Sequence, residues 1–148
     1  MDGLEEKAEL NQKLVAIGAT AGSVGLALQH IVMEAHLAPA LSLSMTLTAV
    51  IGWAIFAVGI VRARNLGRTE AGSEYLETLR ADERLAAIRA RAFIFGFGAM
   101  MGVQVVMLVL WTLTSGDLHF LTIPVAASST IAAGVTGAVL RNLILTDR

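Results

Sequence analysis

The chain has 148 residues, 55% of them apolar, a mean hydropathy of +0.69 and a formal net charge of −1. That length implies one domain, and the apolar content lies above that of ordinary soluble domains, whose helices each need a wet face. A near-neutral charge gives no reason to expect direct nucleic-acid binding, and the absence of cysteine excludes disulfides, thiolate metal sites, iron–sulfur clusters and cysteine nucleophiles.

The acidic start sets Asp2, Glu5, Glu6 and Glu9 against Lys7 and Lys13. It lacks the basic region and cleavage site of a signal peptide, so the first apolar run is expected to remain as an anchor. Asp2 followed by Glu5 has the spacing of a helix N-cap, and 3–13 reads as a surface helix feeding into the first span, 14–33. Gly18, Gly22 and Gly25 lie along one face of that span. Gly18-x-x-x-Gly22 admits another helix backbone at close range, although membrane helices also tolerate glycine without such packing. After a short turn, Pro39 suits the first turn of a second helix, because it has no N–H to satisfy. The second span is 41–61; roughly 20 residues at about 1.5 Å each cross a hydrocarbon core of roughly 30 Å. Trp53 falls deep inside it, where packing is expected rather than interfacial anchoring.

The interval 62–92 is polar. Arg62, Arg64 and Arg68 open it, Arg84, Arg89 and Arg91 close it, and acids from Glu70 to Glu83 lie between. Ser73 is placed to cap a helix beginning at Glu74, and Asp82-Glu83 begins a second favourable first turn. Tyr75, Leu76 and Leu79 form a small apolar face, which fits either a membrane-hugging linker or a docking surface for a cytoplasmic partner, together with Asp82, Glu83 and Arg84. The terminal arginines are expected at headgroup depth, their guanidinium groups reaching phosphates.

The third span, 93–113, carries Gly96, Gly98 and Gly102, with Gln104 near its midpoint and Trp111 near its far boundary. Ser115-Gly116-Asp117 reads as a tight turn. The fourth span, 119–140, is dense in small residues, among them Ser128 and Gly134, and is expected in the middle of a bundle. All eleven Lys and Arg lie in the N-terminal segment, the polar interval or the tail 141–148, and none in the two short turns. The positive-inside bias then puts both termini and the interval in the cytoplasm. The expected fold is therefore an all-α integral membrane protein: four transmembrane helices in two hairpins joined by a cytoplasmic amphipathic helical connector. Arg64-Asn65-Leu66 and Arg141-Asn142-Leu143 hint at a parallel duplication.

The run Asp82-Glu83-Arg84, then Ile88, Arg91 and Ala92, leading straight into an apolar span, resembles a group of small bacterial inner-membrane proteins with a D-E-R triplet before the third of four spans. That resemblance implies an inner-membrane location. It carries no assigned activity, but members of the group look like companions of small helix-turn-helix regulators, which implies a regulatory tether.

For chemistry, His30 and Glu34 stand at i and i+4, His36 follows in the turn, and Asp117 and His119 belong to the other turn. Such groups bind zinc, copper or nickel, or titrate with external pH, or are ordinary polar residues at a lipid–water boundary. Gln104 is expected to bond a neighbouring helix through Ser128, Ser129 or Thr130, or else to line a solute path. No span carries an ionisable residue at its centre, and no phosphate loop, Ser-His-Asp set or H-E-x-x-H helix is present. The expectation is a non-enzymatic protein without a cofactor. It would act by protein–protein interaction as a homo-oligomer or as an accessory subunit of a larger membrane complex; a small transporter or channel subunit is the alternative.

Overall fold

The computed structural model describes residues 2–113 and 122–146, and among these it forms five α-helices and no strand. They are α1 (Asp2–Glu34), α2 (Pro39–Leu66), α3 (Glu70–Ala81), α4 (Glu83–Leu113) and α5 (Ile123–Thr146). All but α3 are long and apolar enough to cross a membrane. The Asp2 cap, the 115–117 turn and the start of the expected fourth span lie outside the described residues.

The helices overrun the spans read from hydropathy, because helix propensity continues where apolarity stops. α1 is one helix of 33 residues, about 50 Å long, so 3–13 is its exposed beginning and not a separate surface helix. Glu9 and Lys13 form an i,i+4 ion pair at 2.6 Å on that extension. α2 continues to Leu66, and α4 starts at Glu83, inside the interval expected to be connector.

α1 ends in a Schellman motif. His36 takes φ 51°, its N–H bonds the Met33 carbonyl at 3.1 Å, and the Leu37 N–H reaches back to Val32 at 3.0 Å. Glycine usually holds this left-handed position; histidine is one of the side chains that enter it more readily than most. Pro39 then opens α2 at its first turn, where the missing N–H costs nothing.

α1 packs along α2 on one side and α5 on the other, and α4 packs along α5. The resulting order is α2–α1–α5–α4. Burial follows it: a third (33%) of the apolar window is buried in α1 and in α5, against 17% in α2 and 6% in α4. α5, the helix densest in small residues, thus has a neighbour on two sides. The α1–α2 contact is backbone against backbone. A Cβ at Gly18 would strike the Phe56 backbone, one at Gly52 the Gly22 backbone, and one at Gly25 would lie 2.7 Å from the Ala49 nitrogen.

α3 begins at Glu70, a turn earlier than Ser73 implies, because Thr69 is the cap. Its hydroxyl donates to the Leu66 carbonyl at 2.8 Å and accepts the Gly72 N–H at 3.2 Å. Only glycine fits at 72, since a Cβ would collide with the Leu66 oxygen. Ser73 is inside the helix and donates to Glu70 at 2.8 Å. The chain then breaks at Asp82, which is extended and caps α4 by accepting the N–H groups of Arg84 (2.8 Å) and Leu85 (3.2 Å).

Candidate functional site

The residues singled out by sequence fall into three places: the end of the bundle near the α1–α2 turn, the cleft between α4 and α5, and the elbow between α3 and α4. At the first, His30 Nδ1 lies 3.1 Å from Ser128 Oγ. Ser128 Oγ also lies 2.7 Å from the Pro124 carbonyl; with the hydroxyl donating there, its oxygen is left to accept from His30 Nδ1–H. This bond joins α1 to α5 across the centre of the row. It also redirects two residues: Ser128 pairs with His30 and not with Gln104, and His30 faces a helix and not a turn.

The expected metal cluster does not assemble from its described members. Among the described residues no group of three or more His, Cys, Asp or Glu side chains stands close enough to share an ion. The His36 backbone closes α1 and its side chain is exposed, while Asp117 and His119 lie outside the described residues. Glu34 is half-buried at the last turn of α1.

Between α4 and α5, a Cβ on Gly96 would lie 2.6 Å from the Gly134 oxygen and 2.8 Å from the Ala138 Cβ, so the two helices are in tight contact there. Gly134 is closed on its other side by the Met100 side chain. Toward the far end an open groove of ≈ 630 Å³ separates them, with Gln104, Trp111, Thr122 and Thr130 on its walls. Gln104 is exposed there and takes no hydrogen bond from Ser128, Ser129 or Thr130; Thr130 bonds the Ala126 carbonyl of its own helix at 2.8 Å. Gly98 and Gly102 also depart from expectation. Nothing lies within 4 Å of a Cβ at either, so within this chain they pack against no other helix. Gly18 and Gly22, by contrast, both lie against α2; a Cβ at Gly22 would stand 3.0 Å from the Trp53 ring. Trp53 meets Phe56 edge to face, with ring centres 5.6 Å apart.

At the elbow, Tyr75, Leu76 and Leu79 are half-buried and not fully presented. Leu76 approaches the Gly67 turn, to within 3.2 Å of where a Cβ would stand. The pKa of Tyr75 is raised above its ordinary 10.0, first by burial of the ring and then by the Glu5 carboxylate, which places the start of α1 beside α3. Arg89 is not reaching for phosphates alone: it donates to the Leu85 and Leu79 carbonyls, both at 3.2 Å, and so caps the end of α3 from within α4. Asp82, Glu83 and Arg84 remain exposed, as do Glu74, Glu77 and Arg80.

Sequence reasoning missed Gly52 and Gly59 as the α2 side of the α1–α2 contact, Gly52 against Gly22 and Gly59 against Val15, although their seven-residue spacing returns them to one face after two turns. It also missed Thr69, Gly72 and Arg89 as the elements that hold α3. No family model, curated protein or solved structure matches this chain.

Proposed function

We propose that this is a non-enzymatic, multi-pass protein of the bacterial inner membrane. In this reading its two hairpins leave both termini and α3 in the cytoplasm, and it works by presenting α3 to a partner. The partner would be a cytoplasmic regulator or another subunit of a membrane complex. The observation that supports this is how α3 is held. Thr69 and Gly72 dock the first turn of α3 on the end of α2, and Arg89 of α4 takes the Leu79 carbonyl at its other end, so α3 is held in place at both ends. Its apolar side is taken up by its own chain, so the face left for a partner is charged: Glu74, Glu77, Arg80 and the D-E-R triplet. The Gly98–Gly102 face of α4 is the natural surface for a second copy, since it has the close-approach spacing and no neighbour among the described residues.

The test is a crosslinking and co-purification experiment from mild detergent, comparing the native chain with Glu74→Lys/Glu77→Lys. Serine substitutions at Leu76 or Leu79 would disturb the elbow itself and blur the result. Loss of a co-purifying protein in the charge-reversed variant supports the reading, and an unchanged set of companions removes it. A second reading, a small transporter or channel subunit, is favoured by one observation: Gln104 and Thr130 share the walls of one open groove. Solute flux into liposomes that is abolished by Gln104→Leu would favour it over the first.

A further inference from the structure

A second groove lies where α1, α4 and α5 meet at the α3 end of the bundle, and its chemistry is split along its length. Its volume is ≈ 460 Å³, within the range of about 300–1,000 Å³ typical of small-molecule sites. The apolar part of its lining includes Val15 and Ala19 of α1, Phe93 of α4 and Val139 of α5. At the mouth stand Glu9, Lys13 and Arg89. On two of the helices the charged and apolar members of the lining stand within a turn of each other: Lys13 precedes Val15 by two positions, and Arg89 lies one turn before Phe93.

We propose that this groove holds an anionic glycerophospholipid of the surrounding bilayer, with its phosphate at Lys13 and Arg89 and an acyl chain along Ala19, Phe93 and Val139. The charge balance at the mouth selects the headgroup. Glu9 is paired with Lys13 at 2.6 Å, whereas Arg89 is held by two backbone carbonyls and by no carboxylate among the described residues. One positive charge is therefore left over, on a guanidinium already fixed in position, and a phosphodiester matches it through paired N–H donors. Basic sites between spans at the cytoplasmic boundary are suited to lipid headgroups for this reason. The apolar walls select a lipid over a soluble anion: Phe93 is 74% exposed and borders the groove, a surface that an acyl chain covers and free phosphate does not. The inference rests on the membrane-spanning reading and is independent of any protein partner for α3.

The test is native mass spectrometry of the full chain, purified in mild detergent and incubated with equal amounts of phosphatidylglycerol or phosphatidylcholine. Preferential retention of phosphatidylglycerol is expected, weakened about fivefold for each positive charge removed in Lys13→Gln and Arg89→Gln, with Arg89→Lys retaining most of it. Because Arg89 also holds the elbow, helix content is measured alongside; unchanged retention in Arg89→Gln overturns the proposal, as does unchanged retention in Lys13→Gln, which leaves the Glu9 carboxylate unpaired beside the phosphate. Equal retention of phosphatidylcholine, or displacement of the lipid by excess inorganic phosphate, overturns it as well.

Discussion

The α1–α2 pair and the α4–α5 pair are built from the same materials, glycine and alanine on one face and large apolar residues on the other, yet they close to different degrees. Between α1 and α2, glycine meets backbone at successive turns: Gly25 at Ala49, Gly22 and Gly52 at each other, Gly18 at Phe56, and Gly59 at Val15. Between α4 and α5 such contact is concentrated around Gly96, Gly134 and Gly137, and a groove opens beyond it. In hydrocarbon, removal from water does not drive helices together, so close van der Waals approach must. A glycine contributes to that only where the facing helix offers a small residue or bare backbone at the same level. Gly98 and Gly102 have the spacing but no such counterpart among the described residues.

The largest expected effect tests this contrast directly. Gly52→Leu forces a side chain into the Gly22 backbone and is expected to cost about 3 kcal/mol, at the upper end for overpacking, read as a lower denaturation midpoint in mixed detergent micelles. Gly102→Leu enters open space and is expected to stay within about 0.5 kcal/mol by the same measurement. It should instead weaken self-association, read from crosslinking yield in bilayers. Equal loss of monomer stability in both variants would break the comparison.

Four long apolar helices were legible in the sequence because crossing a membrane imposes a length and a composition that no local detail alters. Pro39 announced the start of α2, and Asp82-Glu83 the start of α4, because caps and proline act through the neighbouring backbone alone. What was not legible depends on register between distant helices. Ser128 read as a partner for Gln104, since both sit in the polar minority of their spans; only the rotation of α5 relative to α1 decides for His30, 98 positions away. The part that the His36 backbone plays in closing α1 was not legible either, because a histidine carries no mark of the left-handed conformation that it takes. The second role of Arg89, holding the end of α3, was not legible because its carbonyl partner at Leu79 lies across a chain break that the helical repeat of 85–95 conceals.

Two intermediate effects sharpen the contrast between local and long-range control. Asp82→Ala removes the acceptor for the Arg84 and Leu85 N–H groups and is expected to cost about 1 kcal/mol. Faster hydrogen exchange confined to the first turn of α4 would report it. Ser128→Ala removes the α1–α5 bond, and a double-mutant cycle with His30→Ala is expected to give a coupling of about 0.6 kcal/mol, the average for polar pairs between membrane helices. A cycle between Gln104 and Ser128 should give none, and a coupling there would reverse the assignment of partners.

The smallest effect concerns Tyr75, the one tyrosine in the chain, so its phenolate absorbance reports it without ambiguity. Burial of the ring and the nearby Glu5 both disfavour the anion and raise its pKa above 10.0. The folded protein therefore holds the phenol proton at pH values where the unfolded chain has released it. Stability from this source is complete below about pH 10 and declines as pH rises from there through the folded pKa. Glu5→Gln removes the smaller of the two causes and is expected to bring the titration midpoint partway down, leaving the contribution of burial in place. A midpoint unmoved by Glu5→Gln would detach α3 from the start of α1, and with it the idea that both pairs of helices share in fixing where α3 stands.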